Sequence, residues 1–370
     1  MMYSAMISLD KQISKIYLLK SAQPYPLTQK VLQNLQGVPV ETIPSEKDLH
    51  EILSAQKEPI SFGKRHLVLK ALKGDFVKPC PCTPCYLGCC YYVIHADLNC
   101  PMDCSYCILQ LYLNEPWLTV HVNTDDMWKQ LDSFLKQNNR FLRIGTGELG
   151  DSLALDPVTG RSREFIEFFR HRPQALFELK TKTINIENIL DTPAADNIIA
   201  AWSLNSKEAA KKEEKDAPSV HARIRAAEAV IKKGYRVAFH FDPLILYNGW
   251  EEGYREVIDL LMSRIDVKKI AWFSLGSLRF PPDLKPVIQQ RFPLSKIIYE
   301  EMIKGIDGKL RYFKPNRIKF YRKVVSFFGD RGKMIPFYFC MESDEIWRKV
   351  LQKKMGSEVE IERFLTSLPR

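Results

Sequence analysis

Cys100-Pro-Met-Asp-Cys104-Ser-Tyr-Cys107 puts three thiols on one short stretch with the spacing C-x3-C-x2-C. Three thiolates on a tight loop can hold three irons of a cubane [4Fe–4S] cluster and leave the fourth iron open. An open iron can chelate the amino and carboxylate groups of S-adenosylmethionine. One electron from the reduced cluster then breaks the sulfonium–carbon bond and yields a 5′-deoxyadenosyl radical; the cofactors carry that chemistry, and the protein orients them and excludes water. The competing use of such residues is structural zinc, which wants four closed ligands, usually as two close pairs. Cys104 and Cys107 form one pair, and a cysteine of the 80–90 stretch could complete another. C-x3-C-x2-C after a strand is nevertheless not the usual zinc pattern, and spacing with context favours the cluster.

Eight of the nine cysteines lie between Cys80 and Cys107, and Cys340 stands apart. A disulfide framework belongs to small secreted domains, so clustered thiols in a chain of 370 residues argue for metal binding or redox chemistry. Cys80, Cys82, Cys85, Cys89 and Cys90 supply enough ligands for a second cluster but follow no assignable spacing. A second metal centre, a redox thiol near the substrate and a set of reduced, partly buried thiols all stay open for them.

The elements around the motif must position it. Residues 1–79 read as a small α/β region, with strands at 13–19 and 66–72 and helices at 27–36 and 46–55. Pro79, Pro81 and Pro84 keep the start of the cysteine-rich passage irregular. Residues 80–280 then alternate strands with amphipathic helices: strands at 91–94, 141–144, 175–179, 198–204, 236–241 and 269–275, and helices at 124–137, 163–170, 222–233 and 253–264. Thr124 is the expected cap of the first helix, and Gly234 ends the third. Strand–helix alternation implies a parallel sheet, and about six units suit an open partial (β/α)6 barrel better than a closed one of eight. Residues 281–370 read as a C-terminal extension. The charged stretch 207–219 reads as a mobile loop or a short solvated helix.

Composition is that of a globular chain, 45% apolar and 26% charged. No apolar run reaches the 18 residues a membrane helix needs. Residues 1–20 mix Asp10, Lys11, Lys15 and Lys20 with apolar residues and lack the pattern of a secretory signal, so a cytoplasmic location is expected. The net charge of +10 raises the prior for a polyanionic partner. Its densest stretch, 309–323, carries seven Lys and Arg interleaved with Tyr312, Phe313, Phe320 and Tyr321. A solvated basic face is the favoured reading there over a phosphate-tracking one.

Beyond the cysteines, Asn99-Cys-Pro-Met-Asp-Cys-Ser-Tyr-Cys-Ile-Leu-Gln110, Glu115-Pro-Trp-Leu-Thr-Val-His-Val-Asn123, Phe177-Glu-Leu-Lys-Thr-Lys182, Ala222-Arg-Ile-Arg-Ala-Ala227 and Asn248-Gly-Trp-Glu-Glu-Gly-Tyr254 together resemble the radical S-adenosylmethionine enzymes. Within them the chain resembles the spore photoproduct lyase family, over most of its length. The resemblance implies a partial (β/α)6 barrel with the cluster on Cys100, Cys104 and Cys107 at its mouth, and a one-electron reductant such as flavodoxin or ferredoxin. It implies contacts to S-adenosylmethionine from Lys182 and Ser203, with the segment Gly145-Thr146-Gly147-Glu148 supporting the amino group. Taken alone, Lys182 would be a surface cation, Ser203 a solvated hydroxyl and Glu148 an ion-pair partner.

The departures from the family bear on the substrate. The lesion-repairing lyase donates a hydrogen atom from a cysteine after the second strand and uses two tyrosines flanking the last cluster cysteine. Here Tyr106 is present, Ile108 takes the second place, and no cysteine occurs between Cys107 and Cys340. The repair relay is therefore broken as written, with Cys340 or a thiol of the 80–90 stretch left as the substitute. Cys340 itself reads first as a buried core thiol. The expected function is radical chemistry on an unidentified substrate, with nucleic acid the leading candidate. The rival expectations are a cluster-bearing nucleic-acid-binding protein without turnover and a zinc-stabilised binding module.

Overall fold

Two mainly parallel sheets flank the cysteine loop in the computed structural model, which describes residues 9–83 and 85–366. Pro84, and the first eight residues of the stretch in which no secretory signal was read, lie outside the described residues.

The smaller sheet has the order Val40–Ile43, Lys15–Leu19, His66–Lys70, Leu118–His121, Asp97–Leu98. Its first four strands run parallel and the two-residue edge antiparallel. Lys15–Leu19 and His66–Lys70 are near-continuous apolar runs, as strands covered on both faces require. Ser45 starts the helix Glu46–Ser54 through a capping box with Asp48. Residues 97–98 and 118–121 bracket the cysteine loop in sequence, so this sheet holds both stems of the loop that carries the motif.

The larger sheet has eight strands among the described residues, in the order Phe337–Phe339, Ile270–Ser277, Arg236–Leu244, Ile198–Ser203, Ala175–Thr181, Leu142–Gly145, Tyr91–Ile94, Val77–Pro79. All neighbours pair in parallel except the Val77–Pro79 edge. Strands such as Ile198–Ser203 and Ile270–Ser277 are buried at every position. Helices Thr124–Gln137, Arg161–Arg170, Val220–Lys232 and Trp250–Arg264 bury their apolar stripes against it. The result is the expected curled half-barrel. Its seventh parallel strand comes from the C-terminal stretch, where Phe273 registers with Phe337; three residues after Pro336 are too few for a strand pattern to stand out.

Three local expectations are corrected. Asn123, not Thr124, is the first residue outside the helix Thr124–Gln137, and its amide bonds both Asp126 and the backbone of Leu72. Within 207–219, Lys207–Glu213 is a helix capped by Ser206, and Glu213 and Glu214 are buried, not solvated. The basic stretch 309–323 is no single solvated face. Arg311 and Arg317 are buried in ion pairs with Asp307 and Glu342, and of the four aromatics only Phe313 is exposed. No helix of the described residues is long and apolar enough to cross a membrane.

Candidate active site

The cysteine loop leaves the strand Asp97–Leu98 through Asn99, which sits in the left-handed region at φ 64°. Its side chain locks the turn: Oδ1 accepts from the Cys100 amide at 2.9 Å, and Nδ2 donates to the Pro116 carbonyl at 2.6 Å. An Asn tolerates that backbone because its short amide bonds locally. Beneath the loop, the buried Lys64 ammonium donates to the carbonyls of Met102 (2.7 Å) and Cys100 (3.1 Å) and to Asn99 Oδ1 (3.4 Å). On its outer side Arg291 forks onto both oxygens of Asp103, at 2.9 and 3.0 Å. The far end is pinned by antiparallel pairing of Cys104 with Glu214, by Ser105 N donating to the Glu213 carbonyl, and by Gln110 reaching the carbonyls of Ser105 and Cys107. Backbone polar groups that a tight loop would leave orphaned are thereby satisfied.

This loop forms one wall of a cavity of about 280 Å³. Seven of the residues singled out from the sequence line it: Cys100, Cys104, Tyr106, Cys107, Glu148, Lys182 and Ser203. Lys182 directly follows the strand Ala175–Thr181, and Ser203 ends Ile198–Ser203, the end of a parallel barrel where sites form. Lys182 is placed by its own amide, which donates to Asp151 at 2.7 Å; the Thr181 hydroxyl holds the other Asp151 oxygen at 2.7 Å. The Lys182 ammonium lies 5.8 Å from the centre of the Tyr106 ring. The Tyr106 hydroxyl donates to Glu214, which forms a fully buried pair with Arg223 at 2.6 Å. Glu148 is not free: it pairs with Lys180, a neighbour in the same wall. The ion-pair reading of Glu148 therefore holds together with its place in the cavity.

The electrostatics suit an anionic group on the loop. Burial pushes the Cys104 thiol up, and it pushes that of Cys100 up to about 11; Lys182 and Lys64 respectively oppose the rise. Burial works against the charge of Lys182, yet Cys104 and Glu214 hold its pKa above the ordinary value, and the same balance holds for Lys64 beside Cys100 and Cys107. Three thiols with two cations behind them fit a thiolate-held cluster, whose ligands must be deprotonated. Among the described residues no three His, Cys, Asp or Glu side chains converge as a single ion would need. A cubane places its thiolates on three different irons. A second tier of paired charges closes the floor: His240 with Glu178 at 2.7 Å, and Arg279 with Asp242 at 3.2 Å. Burial disfavours the Glu178 charge, but His240 and Arg143 bring its pKa down to about 2.

All nine cysteines are free thiols. Of the 80–90 group only Cys80 lines the cavity, and Cys85 is exposed. Cys340 is only half-buried and accepts from Arg279 at 3.6 Å, so it is not the fully enclosed core thiol expected. The sequence reading missed Lys64, Asp151, Glu214 and Arg291. Lys64 stands 36 residues before Cys100 with no motif around it, and Glu214 sits in a charged run that resembles a surface.

A curled half-barrel whose first loop carries C-x3-C-x2-C defines a radical S-adenosylmethionine enzyme. The chain belongs to the spore photoproduct lyase family, whose model matches residues 12–322. It is 27% identical to the spore photoproduct lyase of Bacillus subtilis (strain 168) over 301 residues, 77% of this chain and 84% of that one. Against the spore photoproduct lyase of Clostridium acetobutylicum it is 23% identical over 335 residues, 89% and 95% of the two chains. Among solved structures it is similar to a spore photoproduct lyase variant with bound AdoMet and dinucleoside spore photoproduct, with a TM-score of 0.79 and 23% identity over 88% of this chain and 98% of that one. Enzymes of this family use S-adenosylmethionine and a [4Fe–4S] cluster.

Proposed function

We propose that this chain holds a [4Fe–4S] cluster on Cys100, Cys104 and Cys107, binds S-adenosylmethionine at its open iron and starts radical chemistry on a nucleic-acid substrate. The observation that carries the reading is the convergence of those three thiols with Lys182, Ser203 and Glu148 on one cavity of about 280 Å³. When bound, the pair of cofactors supplies a 5′-deoxyadenosyl radical. The protein's part is placement. Lys182, its amide held by Asp151 and its ammonium 5.8 Å from the Tyr106 ring, faces the cofactor carboxylate. Ser203 bonds its ribose or carboxylate, and the 145–148 segment supports its amino group. Paired charges on the floor keep the cavity from carrying a stray ion against the reacting atoms.

Nucleic acid is supported by the family, by the basic charge and by the dinucleoside spore photoproduct bound to a solved relative. Thymine-lesion repair by the family's own relay does not fit this chain. The 145–148 segment carries no S–H, and Ile108 carries no phenol. A one-electron reductant of the flavodoxin or ferredoxin class and a reducing, cytoplasmic setting match nine free thiols.

Anaerobic reconstitution tests the reading. About four irons per chain, a broad visible absorption and 5′-deoxyadenosine on adding reductant and S-adenosylmethionine are expected. Cys104→Ala should abolish that product, because two thiolates no longer hold the cluster with one iron open. Zinc in place of iron, or a variant that keeps both cluster and cleavage, would sink it.

A further inference from the structure

Arg311 and Arg317 turn inward, but the later cations of the same stretch do not. Lys314, Lys319 and Arg322 are exposed on the helix Lys314–Ser326, with Lys323 half-buried beside them. The helix Asp344–Leu351 lies alongside and adds the exposed Lys349. Together the two helices bound a groove lined by these five cations and, among the described residues, by a single carboxylate, Glu345. Lys314 and Lys349 share Glu345, at 2.7 and 2.8 Å, and Glu251 reaches Lys323 from outside at 3.1 Å. Five cations against two carboxylates leave a positive excess in one concave surface. Arg322 is fixed and not neutralised: its Nε and Nη2 donate to the Lys349 carbonyl at 2.9 and 2.7 Å. Lys319 stands one helical turn from both Arg322 and Lys323, a like-charge spacing that weakens a helix unless an anion lies over it.

The groove starts where the candidate active site ends. Lys309 and Arg279 line the cavity, and the strand Leu310–Tyr312 pairs with Arg279–Phe280. Exposed Phe313 follows, and Lys314 opens the groove. The chain from Lys309 to Lys314 spans at most about 18 Å, and the helix that follows is about 20 Å long. One strand of a nucleic acid carries a phosphate about every 3.4 Å of duplex axis, so the path from the cavity to the far end of the groove takes about ten nucleotides.

We propose that the groove between the helices Lys314–Ser326 and Asp344–Leu351 is a docking surface for the phosphodiester backbone that flanks the reacting base, so that the enzyme takes a polynucleotide strand and not a free nucleotide. Lys319, Arg322 and Lys349 neutralise phosphates there. Such contacts set affinity and register without reading sequence, and the choice of base stays with the cavity.

This rests on the proposed nucleic-acid substrate, and the test separates the two. Reconstituted full-length enzyme is titrated against a fluorescein-labelled oligothymidylate of about 20 nucleotides, longer than the groove path, and against labelled thymidine dinucleotide, with anisotropy read from about 50 to 200 mM salt. In the double variant Lys319→Ala with Lys349→Ala, the slope of log K against log salt should lose about 1.4, at about 0.7 per phosphate contact on a single strand, and affinity for the long strand at about 0.1 M salt should fall on the order of twentyfold. The dinucleotide is too short to reach the groove, so its binding should be unchanged, as should 5′-deoxyadenosine release without nucleic acid. Lys47→Ala with Lys136→Ala removes two exposed cations from other helices and should leave both affinities at wild type. Long-strand affinity unchanged in the groove variant, or lowered equally in the control pair, overturns the inference and leaves the proposed function standing. So does a groove variant that binds the strand normally but is reduced more slowly by flavodoxin, a result that assigns the groove to an acidic protein. Wild-type enzyme that binds neither probe overturns the nucleic-acid reading and the inference with it.

Discussion

Replacing Lys64 by Met keeps the length and the apolar stem of the side chain and removes only the ammonium beneath the cysteine loop. The Lys64 side chain is 5% exposed, and its ammonium donates at 2.7 Å to the Met102 carbonyl and at 3.1 Å to that of Cys100. A hydrogen bond from a charged donor contributes about 1.5–3 kcal/mol, so the two bonds together lie at about 3–6 kcal/mol. Taking the lower end, about 3 kcal/mol is a change on the order of a hundredfold in the equilibrium that holds the loop in its ligand-ready shape. The variant also loses a cation that offsets thiolate charge at Cys100 and Cys107. We therefore expect iron to leave reconstituted Lys64→Met for a ferrous chelator on the order of a hundred times faster than from wild type. The far-ultraviolet circular dichroism should be unchanged, because both sheets keep their cores. Lys64→Arg should recover part of the loss, since a guanidinium keeps the charge with different geometry. Equal iron content and equal release rates in Lys64→Met would refute the claim that this residue shapes the loop.

Lys182→Ala should weaken S-adenosylmethionine binding roughly tenfold or more, at about 1.5–3 kcal/mol for a charge-assisted contact, with the visible spectrum of the cluster unchanged; equal affinity in equilibrium binding would remove Lys182 from the cofactor site. Glu214→Ala leaves Arg223 buried without its partner and should cost about 3–5 kcal/mol, read as a lowered denaturation midpoint; an unchanged midpoint would mean that water or a neighbour takes over. Burial pulls His95 down to about 4 and His121 down to about 3, below the ordinary value of 6.5. Both stay neutral in the fold while the unfolded chain takes up protons, so their contribution is intact above about pH 6.5 and is lost as pH falls towards 4, at up to about 1.4 kcal/mol per pH unit for each. The melting temperature should therefore fall between pH 6.5 and 4, less steeply in His121→Asn, and a slope identical in the variant would contradict it.

Strand–helix alternation made the half-barrel legible because each buried strand is a short apolar run and each helix has one apolar stripe. The motif was legible because its chemistry needs three thiols on one loop, close in sequence. What holds the loop was not, because Lys64, Glu214 and Arg291 reach it from three distant segments and none has a local pattern. Glu213 and Glu214 were misleading in a specific way. A run of Lys and Glu has the composition of a solvated surface, and only the pairing of residues 103–104 with 214–215 turns part of it inward. Arg311 and Arg317 misled for the same reason, since each is buried against an acid that spacing alone could not assign to it.

The missing thiol in the 145–148 segment is a property of the packing, not of one exchangeable side chain. A Cβ at Gly145 would run into the Tyr91 hydroxyl and the Glu178 carbonyl. A Cβ at Gly147 would stand 2.7 Å from the Lys180 Cβ and 2.8 Å from its carbonyl oxygen, closer than real side chains come. Thr146 is held by Ser152 at 2.7 Å, and Glu148 is the partner of Lys180. Two positions are thus closed by backbone contact and two are engaged in bonds. Opening room for a thiol at either glycine would displace Ala175–Thr181, the strand that Lys182 directly follows. The position of Lys182 and a thiol in this segment therefore compete for the same few ångströms.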